Sequence, residues 1–299
     1  MSTEWIVARA GNPAFVFAHQ DDETVLSGAI RRIVGDDERG TFVWWTNGDG
    51  LAPMAKMAPE PYAELRIAEA TEALRRLGAS ARRKVDLESS ELENYRRFTE
   101  VERGGSAKQA ALTYFDREAD RMEEVLRRAD PDRVFVLAWQ GGHPEHDLVH
   151  IMVTRAVRRL RKATGRPIPI IQVPAYEYTI LCPLRFKPWF AGDVRTLRLD
   201  AAELAAKRHV FEAYESQRDL LDKFERVIGT LGLAGRLVGR GASVDEFLST
   251  EQLGVVPPDL DLRASTHRLE VLNYMGDDYL GTPIRFDTMI RPIAAAILG

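Results

Sequence analysis

Ala18-His19-Gln20-Asp21-Asp22-Glu23 places a histidine and three carboxylates in a single turn, directly after the apolar run Pro13-Ala14-Phe15-Val16-Phe17. That set of side chains can hold a metal ion. The chain has six histidines, and three of them, His143, His146 and His150, fall close together far downstream, in and just after His143-Pro144-Glu145-His146. In a doubly wound sheet the two segments sit on one rim if each follows a parallel strand, so His19 with Asp22 can meet His146. Two histidines and one carboxylate form a facial set with open positions, which suits a catalytic zinc or another divalent transition metal. Asp21 and Asp22 are neighbours and cannot reach such an ion from the same angle, so one ligates and the other is free to take a proton. A carboxylate beside an activated water, with His143 presenting a charged N–H to an oxyanion, amounts to metal-assisted amide hydrolysis.

The elements that must position these residues are legible in outline. Downstream of Glu23, apolar positions 25, 26, 29, 30 and 33 recur with helical spacing, so the first motif joins a strand to a helix. Thr41-Phe42-Val43-Trp44-Trp45-Thr46 reads as a second strand ending in Asn47-Gly48-Asp49-Gly50, turn residues that face the first motif. A helix follows over Tyr62–Leu77, with Leu65, Ala68, Ala73, Leu74 and Leu77 inward and Gly78 as its stop. Val85 to Glu88 is a short strand candidate, Ala111 to Ala129 a helix, and Val134 to Ala138 a third strand opening into the histidine loop. Leu148 to Ala163 continues as a helix with Arg155, Arg158, Arg159, Arg161 and Lys162 on a solvated face. Ile168–Val173 and Tyr176–Ile180 are apolar enough for further strands, and Ala201–Ile228 reads as one long helix. Trp44 and Trp45 alternate across their strand, one in the core and the other on the opposite face. The expectation is an α/β fold with a doubly wound, mainly parallel sheet in a single domain over residues 1–299. Its core spans about residues 10–190, with a helical and irregular elaboration over about 200–299, where the tail from Leu269 forms a packed cap.

Composition narrows the function classes. With 41 Lys and Arg against 45 Asp and Glu, the net charge of −4 gives no electrostatic reason to expect nucleic acid or an anionic membrane surface. The single cysteine, Cys182, excludes an intramolecular disulfide and a cysteine-rich zinc site and fits a cytoplasmic setting. No segment reads as a signal peptide or a membrane span. A small-molecule partner is expected, and a homo-oligomer is compatible with the sequence.

The separated motifs resemble the PIG-L/LmbE-like zinc-dependent N-deacetylases: Ala-His-Gln-Asp-Asp-Glu, then Thr-Asn-Gly-Asp-Gly, then Glu64-Leu65-Arg66 with Glu69 and Leu77-Gly78, then His143-Pro144-Glu145-His146. The resemblance covers roughly the first half of the chain, and implies a Rossmann-like sheet and removal of an acetyl or other acyl group from the amine of an amino sugar or sugar-bearing small molecule. It implies His19, Asp22 and His146 as zinc ligands, Asp21 as the general base, His143 as the oxyanion-stabilising residue and Arg66 as a substrate contact. Gln20 stands where many members have proline, and Glu145 where aspartate is usual, its carboxylate tuning His143 or His146. The tyrosine that some members carry before the histidine loop is absent from Gln140-Gly141-Gly142. Beyond about residue 165 only Lys207 and Tyr214-Glu215-Ser216-Gln217 resemble the family. His150, four residues after His146, is the rival ligand, read as a core or supporting residue, while His209 and His267 are ordinary core or surface residues. Removal of a longer acyl chain is the direct alternative, and a silent binding protein on the same scaffold the alternative from another class. A nucleotide-binding protein would need a glycine fingerprint where His-Gln-Asp-Asp stands.

Overall fold

The structure is a computed structural model, described here for residues 4–34, 39–177, 184–187, 192–237 and 243–299. Its strands are β1 (Pro13–Phe17), β2 (Thr41–Thr46), β3 (Lys84–Ser89), β4 (Arg133–Leu137), β5 (Ile170–Val173), β6 (Asp193–Arg198) and β7 (Thr250–Val255), with a small hairpin of β8 (Asp278–Tyr279) and β9 (Thr282–Pro283). The helices are α1 (Ser27–Val34), α2 (Ala52–Ala55), α3 (Pro59–Leu77), α4 (Glu91–Arg103), α5 (Gly105–Ala129), α6 (Pro144–Thr164), α7 (Ala201–Phe211), α8 (Arg218–Leu237), α9 (Val244–Leu248) and α10 (Arg291–Leu298). Strands β1 to β7 form one sheet in the order β3-β2-β1-β4-β5-β7-β6. The first five pair parallel, and β7 runs antiparallel to both of its neighbours. The α/β, mainly parallel, doubly wound architecture is therefore the observed one, and it draws its last two strands from beyond residue 190.

Both faces of the sheet are covered, which is why β1, β2 and β4 are buried along their whole length instead of alternating. Phe15, Phe17, Phe42, Trp44 and Phe135 share one core with side chains of α1, α3 and α7. Val16, Val43, Trp45, Val134 and Val136 share the other with α4, α5, α6 and α10. Trp44 and Trp45 thus occupy opposite faces, and each face is a core. Phe15 stacks between Phe42 and Phe135 at centroid distances of 5.0 and 4.9 Å, locking the three central strands side by side.

Several elements differ from the periodicity reading. Helix α3 starts at Pro59 and turns Tyr62, Arg66, Glu69 and Ala70 inward, leaving Leu65 exposed. Its buried stripe contains charge because it lines the site, so an apolar-only reading rotates the helix. Helix α4 was not anticipated; Ser90, whose side chain accepts from Glu93 N, begins it with a Ser-x-x-Glu signature visible in the sequence. The long helix expected over Ala201–Ile228 is two helices, broken where Glu215–Gln217 forms a tight turn. Arg155, expected on a solvated face, is buried and paired with Asp116 at 2.6 Å and with Asp120. Tyr176 and Glu177 carry no regular structure, while 178–180 and Cys182 lie outside the described residues. No helix among the described residues is long and apolar enough to cross a membrane.

The C-terminal region is tied into the sheet by a buried ion pair. Lys207 Nζ lies 2.7 Å from Glu251 Oε1, and the Glu251 carboxylate accepts Gly28 N at 2.9 Å and Ala29 N at 2.8 Å, the free amides that open α1. An anion there also complements the helix dipole.

Candidate active site

The carboxyl ends of β1, β2 and β4 deliver the two motifs to one rim. After β1, residues Asp22–Leu26 form a tight 3-10 turn before α1, and Asp21 takes φ 121°, a conformation unusual for a residue with a Cβ. Such strain persists only where surrounding contacts over-determine it. Here Glu23 Oε2 accepts Asp21 N at 3.3 Å, Thr24 Oγ1 donates to Asp21 O at 2.6 Å, and Arg66 donates to Gln20 O. The turn sends the adjacent aspartates in different directions. Asp22 folds back to accept Ala18 N at 3.0 Å and His19 N at 2.8 Å, whereas the Asp21 carboxylate lies 3.2 Å from Arg66 Nη2.

The partner turn after β2 is seated by Thr46, whose Oγ1 donates to Ala18 O at 2.8 Å, and by Asp49, which accepts Ser90 Oγ at 2.6 Å and Leu92 N at 3.2 Å at the start of α4. Gly48, at φ 79°, could not carry a Cβ, which would lie 2.5 Å from Gln20 Oε1 and 2.9 Å from Arg66 Cβ. The motif glycine therefore permits the close approach that brings Arg66 to Asp21.

His146 comes from the first turn of α6. Its Nε2 lies 3.1 Å from His19 Nδ1 and 3.2 Å from Asp22 Oδ1, and Asp22 Oδ2 is 3.7 Å from His19 Nδ1. The structure thus brings His19, Asp22 and His146 together across 127 residues of chain. His143 is also near, its ring 4.6 Å from that of His19 and 4.8 Å from that of His146. The outer nitrogen of His19, Nε2, lies 2.8 Å from Glu145 Oε2, and Asn94 Nδ2 donates to Glu145 Oε1 at 2.7 Å. Glu145 therefore orients His19, not His143 or His146. Holding Nε2 leaves Nδ1 to face the His146 and Asp22 donors, the outer-ligand arrangement common at metal-binding histidines.

Electrostatics favour positive charge where these donors meet. Burial works against a charged His19, yet Glu91, Glu145 and Asp22 together push it up to about 10. The same burial would raise Asp22, but His146 and His19 hold it below the usual carboxylate range. A divalent cation held among these donors would supply positive charge at the same place. Burial raises Asp21 against the opposing pull of Arg66, the direction that suits a base working near neutral pH. His143 is driven well below the usual histidine range by burial and by the neighbouring His19 and His146, so its N–H is neutral, not the charged donor expected from the sequence. His150 stands apart from the donors: it is fully buried, with Nδ1 2.9 Å from Leu137 O.

These groups open onto a cleft of about 430 Å³, lined by His19, Asp21, Asp22, Arg66 and His143 together with residues that sequence reasoning passed over. Glu91 and Tyr95 come from α4, and Tyr176 stacks on His146 at 5.5 Å. Asp277 and Tyr279 come from the C-terminal region, where no spacing pattern marks them, and Gln217 from the Tyr214-Glu215-Ser216-Gln217 stretch that resembles the family.

Fold and rim together define a doubly wound α/β protein with a histidine and carboxylate centre at its strand ends. The family profile described as PIG-L: GlcNAc-PI de-N-acetylase matches residues 14–157, the stretch that holds every one of these histidines and aspartates up to α6. Residues 14–157, just under half of the chain, are therefore similar to the PIG-L family. Among solved structures, a deacetylase of teicoplanin biosynthesis is similar with a TM-score of 0.57 at 14% identity, over 83% of this chain and 99% of that one. The N,N'-diacetylchitobiose deacetylase of Pyrococcus horikoshii gives 0.52 at 16% identity, over 83% and 85%. A 4-carboxy-2-hydroxymuconate hydratase, GalB of Pseudomonas putida KT2440, gives 0.51 at 18% identity, over 84% and 98%. At such identities the likeness is one of fold. No curated protein matches the chain.

Proposed function

We propose that this protein is a metal-dependent hydrolase that removes an acetyl or other acyl group from the amine of an amino sugar or a sugar-bearing small molecule. One observation carries the reading: Asp22 closes on His146 and His19 while the strained turn at Asp21 sends the neighbouring carboxylate to Arg66 along the same cleft. Ligand and base are thereby separated. His19, Asp22 and His146 would hold the ion, zinc or another divalent transition metal. When bound it supplies Lewis-acid polarisation of the acyl carbonyl and lowers the pKa of water toward about 7.

Asp21 takes the proton of the attacking water and returns it to the departing amine, so that the C–N bond breaks to give a carboxylate and an amine. His143 offers an N–H to the oxyanion that develops on the carbonyl carbon. Arg66 keeps Asp21 oriented, with its Nη1 3.8 Å from Glu69 Oε2, and from the cleft wall it is the proposed substrate contact. The match of residues 14–157 to the PIG-L family profile and the deacetylases named among the fold neighbours support the acylated-amine class. Removal of a longer acyl chain is the second reading, favoured by Leu51 and by Met54, 77% exposed, on the cleft wall.

Released acid is to be measured over a panel of N-acetylated amino sugars, glycoconjugates and long-chain amides, alongside bound metal. Asp21→Ala retains metal and loses at least about a hundredfold in turnover, while His19→Ala loses both. Equal metal loss in the two variants would exchange the roles of the aspartates, and activity indifferent to chelator would end the hydrolase reading.

A further inference from the structure

We propose that Tyr95 and Asp277 are positioning residues that fix His143 in its Nε2–H tautomer before substrate arrives, so that a residue of the C-terminal region presets the proton that the oxyanion then takes over from the Tyr95 hydroxyl. The proposal rests on His143 facing the oxyanion, and the geometry around the ring is independent of that role. Glu145 N lies 3.3 Å from His143 Nδ1, and a backbone amide only donates. Nδ1 therefore carries the lone pair, and the single proton of a neutral imidazole sits on Nε2. That nitrogen lies 3.2 Å from the Tyr95 hydroxyl oxygen. With Tyr95 accepting there, its own hydrogen goes to Asp277 Oδ1, 3.3 Å away. The three bonds run one way, from Glu145 N–H through His143 and Tyr95 to the Asp277 carboxylate.

The chain also has a fixed far end. Asp277 N donates to Tyr274 O at 2.9 Å and Asp277 O accepts Ile284 N at 3.0 Å, so its backbone is held on both sides at the mouth of the β8–β9 hairpin. Tyr95, His143 and Asp277 all line the cleft. Reversing the chain would require the His143 proton on Nδ1, against Glu145 N–H, and would turn the Nε2 lone pair toward an arriving oxyanion. Without the Tyr95 and Asp277 acceptors, only the Glu145 amide biases the ring, and the wrong tautomer becomes accessible.

Two variants of the metal-loaded protein test this, Tyr95→Phe and Asp277→Leu, each of which removes one acceptor or donor of the chain. The first readout is the pair of ¹⁵N chemical shifts of the His143 ring. In the wild type they should be those of a protonated Nε2 and an unprotonated Nδ1, and in both variants the two values should move toward each other. The second is steady-state kinetics on whichever compound of the panel is turned over: kcat falls about tenfold or more in both variants while KM stays within about twofold. A wild-type ring protonated on Nδ1, or ring shifts unchanged in both variants, would overturn the proposal. Shifts that move without any turnover in the wild type would instead fault the deacetylase reading and leave the positioning chain standing.

Discussion

Two regions of the molecule meet at the cleft by different means. Residues 13–173 bring in charged groups on turns after the ends of parallel strands, so His19, Asp21, Asp22, Asp49, His143 and His146 all lie within nine residues of the end of β1, β2 or β4. Residues 192–299 reach the same rim through helix ends and loops, with Tyr214 donating to Glu23, Gln217 to Tyr62 at 2.6 Å, and Asp277 accepting from Tyr95. The first region carries the histidines and aspartates of the cleft, and the second satisfies and orients their neighbours. A site built this way has its chemistry in local sequence patterns and its precision in long-range contacts that no pattern records.

The largest expected effect that sharpens this division lies far from the cleft. Glu251→Leu strips Lys207 of its carboxylate and leaves the amides of Gly28 and Ala29 without acceptors, all of them buried. Removing one member of a buried pair costs about 3–5 kcal/mol, so the urea midpoint should fall steeply. Loosening the start of α1 should also disturb the Asp22–Leu26 turn ahead of it. A variant of wild-type stability would mean that the C-terminal strands merely cover the sheet.

The same division explains what the sequence revealed. Apolar runs bounded by turn residues located β1, β2 and β4, because strands buried on both faces need no alternation to be recognised. The histidine and aspartate spacing located the rim, because those residues sit at strand ends whose order the parallel topology dictates. Helix α3 was found but rotated, since Arg66 and Glu69 are inward for the sake of the site. Glu145 was assigned to the histidines beside it in sequence, whereas its carboxylate reaches across to His19. Tyr95, Asp277 and Glu251 escaped notice because each acts on a group that is distant in sequence, and single polar residues in helices and loops otherwise read as surface.

Acid sensitivity should reside in the first region. His150 is pushed down to about 4 by burial, so the folded protein keeps it neutral while the unfolded chain protonates it near 6.5. Its contribution to stability is present above pH 6.5 and is lost as the pH falls through about 4, a swing of roughly 3 kcal/mol. Asp147, raised to about 7 by burial, has the opposite sign, since its protonated form is favoured in the fold and its contribution is lost as the pH rises toward about 7. The difference between wild type and His150→Asn, which keeps a donor for Leu137 O, isolates the histidine. Urea midpoints measured from pH 7 to pH 4 should converge for the two proteins at the acid end, and parallel curves would show that His150 is solvated.

The smallest effect probes the seam between the regions. Tyr274 donates its hydroxyl to Asp147 Oδ2 at 2.9 Å and its amide to Gly141 O at 2.7 Å, fastening the C-terminal region to the loop that carries His143. Tyr274→Phe keeps the ring and the amide bond and removes one donor from a buried carboxylate that still accepts Gln140 N and Gly141 N. The cost should be about 1–2 kcal/mol in urea denaturation, because the remaining donors limit the exposure of an unsatisfied charge. If the seam matters for function, turnover should fall while metal content holds, since the bonds of Tyr274 go to Asp147 and Gly141 and not to His19, Asp22 or His146. Loss of metal in this variant would show that the second region also shapes the ion's ligands and would erase the division between reactive and orienting halves.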